Sequence, residues 1–270
     1  MEEQILYVTK LLNGLLAKPV LALLAALHVQ PENAQYPIPN YFVMELIVVG
    51  LCVIFFLWLK ARLSVDAPGG TQQCVEALIT NPMGVGAQDL LDDLIGHGSE
   101  KYLPMLGAIG IFVLACNLIS VVPGTMSPTA DHSVPLGCAI VVFLYYNYAG
   151  ILKKGPIKHG LHFLGPVWWL AWLMFPIEVV SNVFRLLSLT VRLWVNMLVS
   201  EILYGLFLGL TVTLFIALGK MSVFGYIGVV VPLTLPLVFI VLHMFVAVLQ
   251  AFVFVFLPVL YVSQVVGEEH

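Results

Sequence analysis

Within SLTVRLWVNMLVSEILYG, residues 188 to 205, an arginine, an asparagine and a glutamate interrupt a segment otherwise apolar enough to lie in lipid. A charge at the bilayer centre costs from roughly 2.5 kcal/mol on insertion scales to above about 10 kcal/mol for an isolated helix, so Arg192 must face protein or water. At about 100° per residue, Glu178, Ser181, Arg185, Ser188, Arg192 and Asn196 fall within about 40° of the Arg192 direction and form one polar stripe. Glu201, nine residues beyond Arg192, points to the opposite face, which disfavours a direct salt bridge between them. In LHMFVAVLQAF, His243 and Gln250 are seven residues apart and share a face. Chains of acids and histidines are how proton relays are built through membranes, so Glu201, His243 and Gln250 read as a path. Bland readings compete at some positions. Arg185 is equally suited to snorkelling or to an internal pairing. Ser181 and Ser188 could simply bond the preceding turn's carbonyl, and they count only as members of the stripe.

The rest of the chain must hold these groups in a membrane. Of its 270 residues, 61% are hydrophobic and 10% charged, with a mean hydropathy of +1.03. That balance excludes a water-soluble domain. A transmembrane β-barrel is excluded as well, because its strands alternate apolar and polar residues and these runs are apolar at every position. The net charge of -4 offers nothing to nucleic acid. Cys52, Cys116 and Cys138 lie in apolar runs and Cys74 in a polar loop, without CxxC spacing, so no redox, metal or cofactor site is read from them. No GxxxxGK[ST] loop is present, so the chain carries no catalytic site for ATP hydrolysis of that type.

The fold class expected is an all-α integral membrane protein with about five crossing helices plus interfacial helices. Residues 1–40 form an outer N-terminal segment with an interfacial helix, since MEEQ lacks the basic start of a cleaved signal. Spans are expected over 41–59, 103–122 and 134–152, with a cytoplasmic loop over 61–101 whose PMGVGAQDLLDDLIGHGSEK forms a surface helix. Lysine and arginine mark cytoplasmic flanks. Lys60, Arg62, Lys153, Lys154 and Lys158 therefore lie inside, PGTMSPTADHS and the N-terminus outside, and the terminal GEEH inside. Two apolar regions, 164–218 and 227–266, flank GKMSVFGY. Each exceeds the length needed to cross a core about 30 Å thick, so each either breaks into two spans or lies strongly tilted. Neither glycine nor proline occurs between Pro176 and Gly205, which favours two long, tilted, antiparallel helices.

SLTVRLWVNMLVSE, followed by HMFVAVLQAFVFVFLPVLYVSQ and EEH, resembles subunit a of the F-type ATP synthases. The resemblance is strong over residues 176–270, fair over NLISVVPG and SPTADHS, and weak before residue 100. It implies the membrane stator of a rotary proton motor in a bacterial cytoplasmic membrane, partnered by a ring of c subunits, b-type peripheral stalk subunits and the F1 sector. Arg192 is then similar to the arginine that faces a mid-membrane carboxylate of each c subunit, and Asn196 shares its face. Glu201, His243, Gln250 and Asn117 resemble the half-channel open to the outside. Glu178 and Ser181 resemble the half-channel open to the cytoplasm. The sequence departs from the family's LFGNM-AGE at Trp194, Val195, Val199 and Ser200. Some relatives carry an acid at the position of Ser120, which turns the search for the outer entrance to Asp131 or Glu45. A stand-alone secondary transporter is the alternative, but it calls for two halves of matching hydropathy, and here the charges gather in the C-terminal half.

Overall fold

The computed structural model describes residues 7–26, 36–64, 68–80, 91–94, 96, 99–122, 125–155, 171–218 and 230–266. Helices account for nearly all of these residues, and no strand occurs among them. In chain order the helices are α1 (Tyr7–Ala26), α2 (Asn40–Lys60), α3 (Gly70–Thr80), α4 (Leu103–Leu118), α5 (Ser133–Lys154), α6 (Ala171–Leu218) and α7 (Val230–Val266). Five of them, α2 and α4 to α7, are long and apolar enough to cross a membrane.

The first three spans lie close to their expected positions. The expected span 103–122 tightens after Leu118 into a 3-10 turn over Ile119–Val121, a common way for a helix to end. That turn brings Ser120 inward, where it is buried. The loop 61–101 is described only in part. Its regular helix is α3, upstream of the expected stretch; of that stretch residues 91–94 are α-helical and Ser99–Lys101 form a 3-10 turn, and residues 82–90, 95, 97 and 98 lie outside the described residues. Cys74 accordingly sits on an exposed helix face rather than in a loop. Asn13 of α1 holds the entry to α2, donating to the Ile38 carbonyl and accepting from the Ile38 N–H, both at 3.0 Å.

The two long helices are continuous. α6 has 48 residues and α7 has 37, or about 72 and 55 Å at 1.5 Å per residue. The alternative of breaking each into two spans is thereby ruled out, and neither helix fits a core about 30 Å thick without lying obliquely or projecting beyond it. Residues 164–170, 227–229, GKMSVFGY, GEEH and Lys158 lie outside the described residues. Cross-contacts fix the direction of packing. Phe207 stacks on Phe239, Asn196 reaches Gln250, and Arg185 reaches Tyr261, so α6 and α7 run antiparallel. α4 is antiparallel to α7 in turn, because Ser120 meets His243, Asn117 meets Ala247, and Gly110 abuts Val255.

The core is assembled where α4, α5, α6 and α7 meet. On α6, Leu189, Leu193 and Met197 repeat every fourth residue and are almost fully buried against Val113, Val142, Ala251 and Phe254. Each precedes or follows a stripe residue by one position, about 100° around the helix. Burial of this stripe therefore decides where Ser188, Arg192 and Asn196 point, and all three are exposed.

Candidate functional site

α6 is the axis of the site. Arg192 stands near its middle, exposed among the exposed apolar residues Val191, Val195 and Val199. No ion pair among the described residues involves it. One turn on, the exposed Asn196 donates from Nδ2 to Oε1 of the fully buried Gln250 at 2.8 Å. That bond links the arginine face of α6 to α7. Gln250 Nε2 is buried without a partner among the described residues, a costly state for an amide.

On the side of Glu201, polar groups from four elements converge. Glu201 Oε1 accepts from the Ser127 backbone N–H at 2.6 Å. Ser127 Oγ pairs with Thr129 Oγ1 at 2.6 Å, and Thr129 donates to Asn117 Oδ1 at 2.6 Å. Asn117 Nδ2 donates to the Ala247 carbonyl at 3.3 Å, tying α4 to α7. A separate group surrounds His243, with Ser120 Oγ 2.8 Å from Nε2 and Ser200 Oγ 3.0 Å from Nδ1. The segment 125–132 is held against α6 by Glu201 and by Trp194, whose indole N–H donates to the Ala130 carbonyl at 3.0 Å. Trp194, one of the residues that departs from the family pattern, thus acts as a clamp.

The path expected from the sequence joins Glu201, His243 and Gln250. The structure gathers them on the facing sides of α6 and α7, but each bonds a different partner: Ser127, the two serines and Asn196 respectively. Asp131 accepts from the Ser133 N–H at 2.9 Å and from its hydroxyl at 2.5 Å, at the start of α5. Glu45 lines a cavity of about 620 Å³ between α2, α4 and α5, with Ser133 and Cys138 on its wall. Neither acid touches His243. Ser120, a hydroxyl rather than a carboxyl, is itself the residue that meets the imidazole.

The other half of α6 carries a second network. Asn182 Nδ2 donates to the Glu178 carbonyl at 2.9 Å and more weakly to Glu178 Oε1 at 3.4 Å, while Asn182 Oδ1 accepts from the Tyr146 hydroxyl at 2.7 Å. Tyr146 packs on Tyr261 with ring centroids 5.8 Å apart, and the Arg185 guanidinium lies 5.3 Å from the centroid of the Tyr261 ring. Ser181 is half-buried beside this network. Asn182, Tyr146 and Tyr261 were missed in the sequence. Asn182 had a signal, being an amide in an apolar helix next to Ser181. The tyrosines had only the general need of a buried phenol for a partner.

Beyond the geometry, the family described as "ATP synthase A chain" matches residues 42–263. The chain belongs to the ATP synthase subunit a family. It is 37% identical to ATP synthase subunit a of Koribacter versatilis over 98% of both chains. It is 40% identical to that of Solibacter usitatus over 87% of this chain and 90% of the relative, and 38% identical to that of Sulfurimonas denitrificans over 85% and 92%. Family membership places the chain in ATP synthesis and ion transport as a multi-pass membrane protein, and agrees with the resemblance drawn from SLTVRLWVNMLVSE.

Proposed function

We propose that this chain is the proton-carrying stator of a rotary motor, with Arg192 as the fixed charge past which a ring of c subunits turns. The observation that carries this reading is the placement of Arg192: a permanent cation on an exposed apolar face of a membrane helix, without an ion-pair partner among the described residues. Such a group needs an anion from another chain, because lipid alone leaves it too costly. A ring carboxylate passing opposite is ionised by the guanidinium, which does not give up its own proton. Lysine could lose its proton there, and arginine does not.

Two polar networks at different heights of α6 then serve as two half-channels. Asn117, Glu201, His243 and Gln250 lie on the outer route, and Ser181 and Glu178 on the cytoplasmic route. Protons reach one carboxylate of the ring, travel around with it, and leave on the other side. Each proton contributes about 2.3 kcal/mol per 100 mV of membrane potential. Lys153 Nζ donates to the Val266 carbonyl at 2.7 Å, which brings the ends of α5 and α7 together. With lysines on the cytoplasmic side, that contact supports a cytoplasmic C-terminus and an outer position for segment 125–132. In a bacterial inner membrane, the c ring, b-type stalk subunits and F1 complete the machine.

Cysteine cross-linking tests the ring-facing assignment. Cysteines introduced at Ser188 and Val195, both exposed beside Arg192, are expected to cross-link to cysteines in the outer helix of a c subunit, whereas a cysteine at Ile140 on α5 is not. Cross-linking from Ile140 and none from Ser188 or Val195 would reverse the assignment.

A further inference from the structure

We infer that the cavity between α2, α4 and α5 is a lipid site that seats a phospholipid with a primary ammonium headgroup, its amine on Glu45 and an acyl chain along the apolar wall. The function proposed above leaves Glu45 unused. The side chain is half-buried on α2, lines a cavity of about 620 Å³, and has no ion pair or hydrogen bond among the described residues. A carboxylate inside a membrane helix is costly unless a cation or water stands beside it. No lysine, arginine or histidine among the described residues lines this cavity. The cation that suits Glu45 therefore comes from outside the chain.

The cavity is graded from acid to hydrocarbon. α2 and α5 begin and α4 ends on one side of the bundle, where the 3-10 turn Pro128–Ala130 packs on all three. Glu45 stands about 8 Å along α2 from Asn40, and Ser133 is the first residue of α5. Ser133 donates from its N–H and hydroxyl to Asp131, which adds a second carboxylate at the mouth, 3.7 Å from the exposed His132. Phe112, Val141 and Ile109 line the same cavity about 9, 12 and 14 Å from the ends of their helices on that side. Gly137 and Val141 are exposed, so the cavity opens along α5. Acid near the membrane surface with apolar wall beneath it matches the order in which an aminophospholipid presents its ammonium and its chain. The volume favours a lipid over a protein helix. It falls within the range of about 300–1,000 Å³ typical of small-ligand sites, whereas a helix about 10–12 Å across would cover the opening without filling it. The headgroup is specified by chemistry. A primary ammonium carries three donors, and its bond to a carboxylate is among the stronger hydrogen bonds. A choline headgroup offers no such donor, and an anionic headgroup is repelled by Glu45 and Asp131.

The test places the whole complex in phosphatidylglycerol vesicles containing a small fraction of phosphatidylethanolamine with a photoreactive group on one acyl chain, and maps the labelled peptides after illumination. Label is expected on α4 and α5 around Phe112 and Val141. Glu45→Gln is expected to lower it about tenfold, the loss of one charge-assisted hydrogen bond. Gly137→Leu is an independent second variant. A Cβ at Gly137 meets nothing within 4 Å, so the leucine enters the cavity without displacing protein. It is expected to lower the label to a similar degree, with assembly and pumping at native levels. Unlabelled phosphatidylethanolamine is expected to compete for the site, and phosphatidylcholine with the same chains is not. Native labelling in either variant would overturn the site, and equal competition by phosphatidylcholine would overturn its choice of a primary ammonium. Absence of label, with a photoreactive side chain at Val141 joined to another subunit, would assign the surface to a protein helix and overturn the lipid. Label is read without proton transport, so failure here leaves the proposed function standing.

Discussion

At the scale of single residues, the site separates groups that carry charge from groups that hold others in place. Glu201 does both, accepting the Ser127 N–H while remaining the one carboxylate on that face of α6. Glu201→Gln keeps an acceptor for Ser127 and removes the titratable proton. The variant is expected to assemble at native levels and to pump about a hundredfold more slowly, the low end for losing a positioned acid or base; native pumping would make Glu201 a strut. Tyr146 is the opposite case. Its hydroxyl orients Asn182, which in turn holds Glu178. Tyr146→Phe leaves Asn182 Oδ1 buried without that donor and is expected to destabilise the subunit by about 1 kcal/mol, read as a lower temperature of dissociation. Arg192, Glu201, His243 and Gln250 were legible in the sequence because an ionisable or amide side chain inside an apolar run has few explanations. Ser120 and Ser200 were legible only as departures from a family pattern, since a serine in a membrane helix is usually satisfied by its own backbone. Each here bonds its own backbone and His243 as well.

At the scale of elements, long apolar runs predict helices and their lengths, and the spans at 41–59, 103–122 and 134–152 lie within a few residues of α2, α4 with its 3-10 turn, and α5. The continuity of α6 was favoured by the absence of glycine and proline between Pro176 and Gly205. α3 was not legible, because polar helix formers without a strong apolar period give little signal against a loop. Nor could periodicity reveal where α4 meets α7. That contact depends on Gly110, where an added Cβ would lie 2.3 Å from Val255 Cγ2. A β-branched side chain has little freedom to move away. Gly110→Ala is expected to cost about 1–3 kcal/mol through overpacking, read as reduced subunit a in the membrane. Val255→Ala in the same chain is expected to restore it. If Gly110→Ala accumulates normally, α4 and α7 do not pack at this distance.

At the scale of the whole molecule, one side of α6 builds a core and the adjacent side presents Ser188, Arg192 and Asn196 outward. Two hydrogen-bonded networks lie at different heights along the same helix, around Asn182 and around Ser200 and Glu201. On the function proposed above, the exposed cation between them recruits a passing carboxylate and bars protons from crossing directly, so that ion flow requires rotation. The most direct measurement of this account is ATP-driven acidification of inverted membrane vesicles carrying Arg192→Ala, at equal assembly of the complex. Loss of acidification, with ATP hydrolysis retained by F1 released from those membranes, is the predicted result. Acidification at the native rate would contradict it, and would leave Arg192 a structural residue without a ring to face.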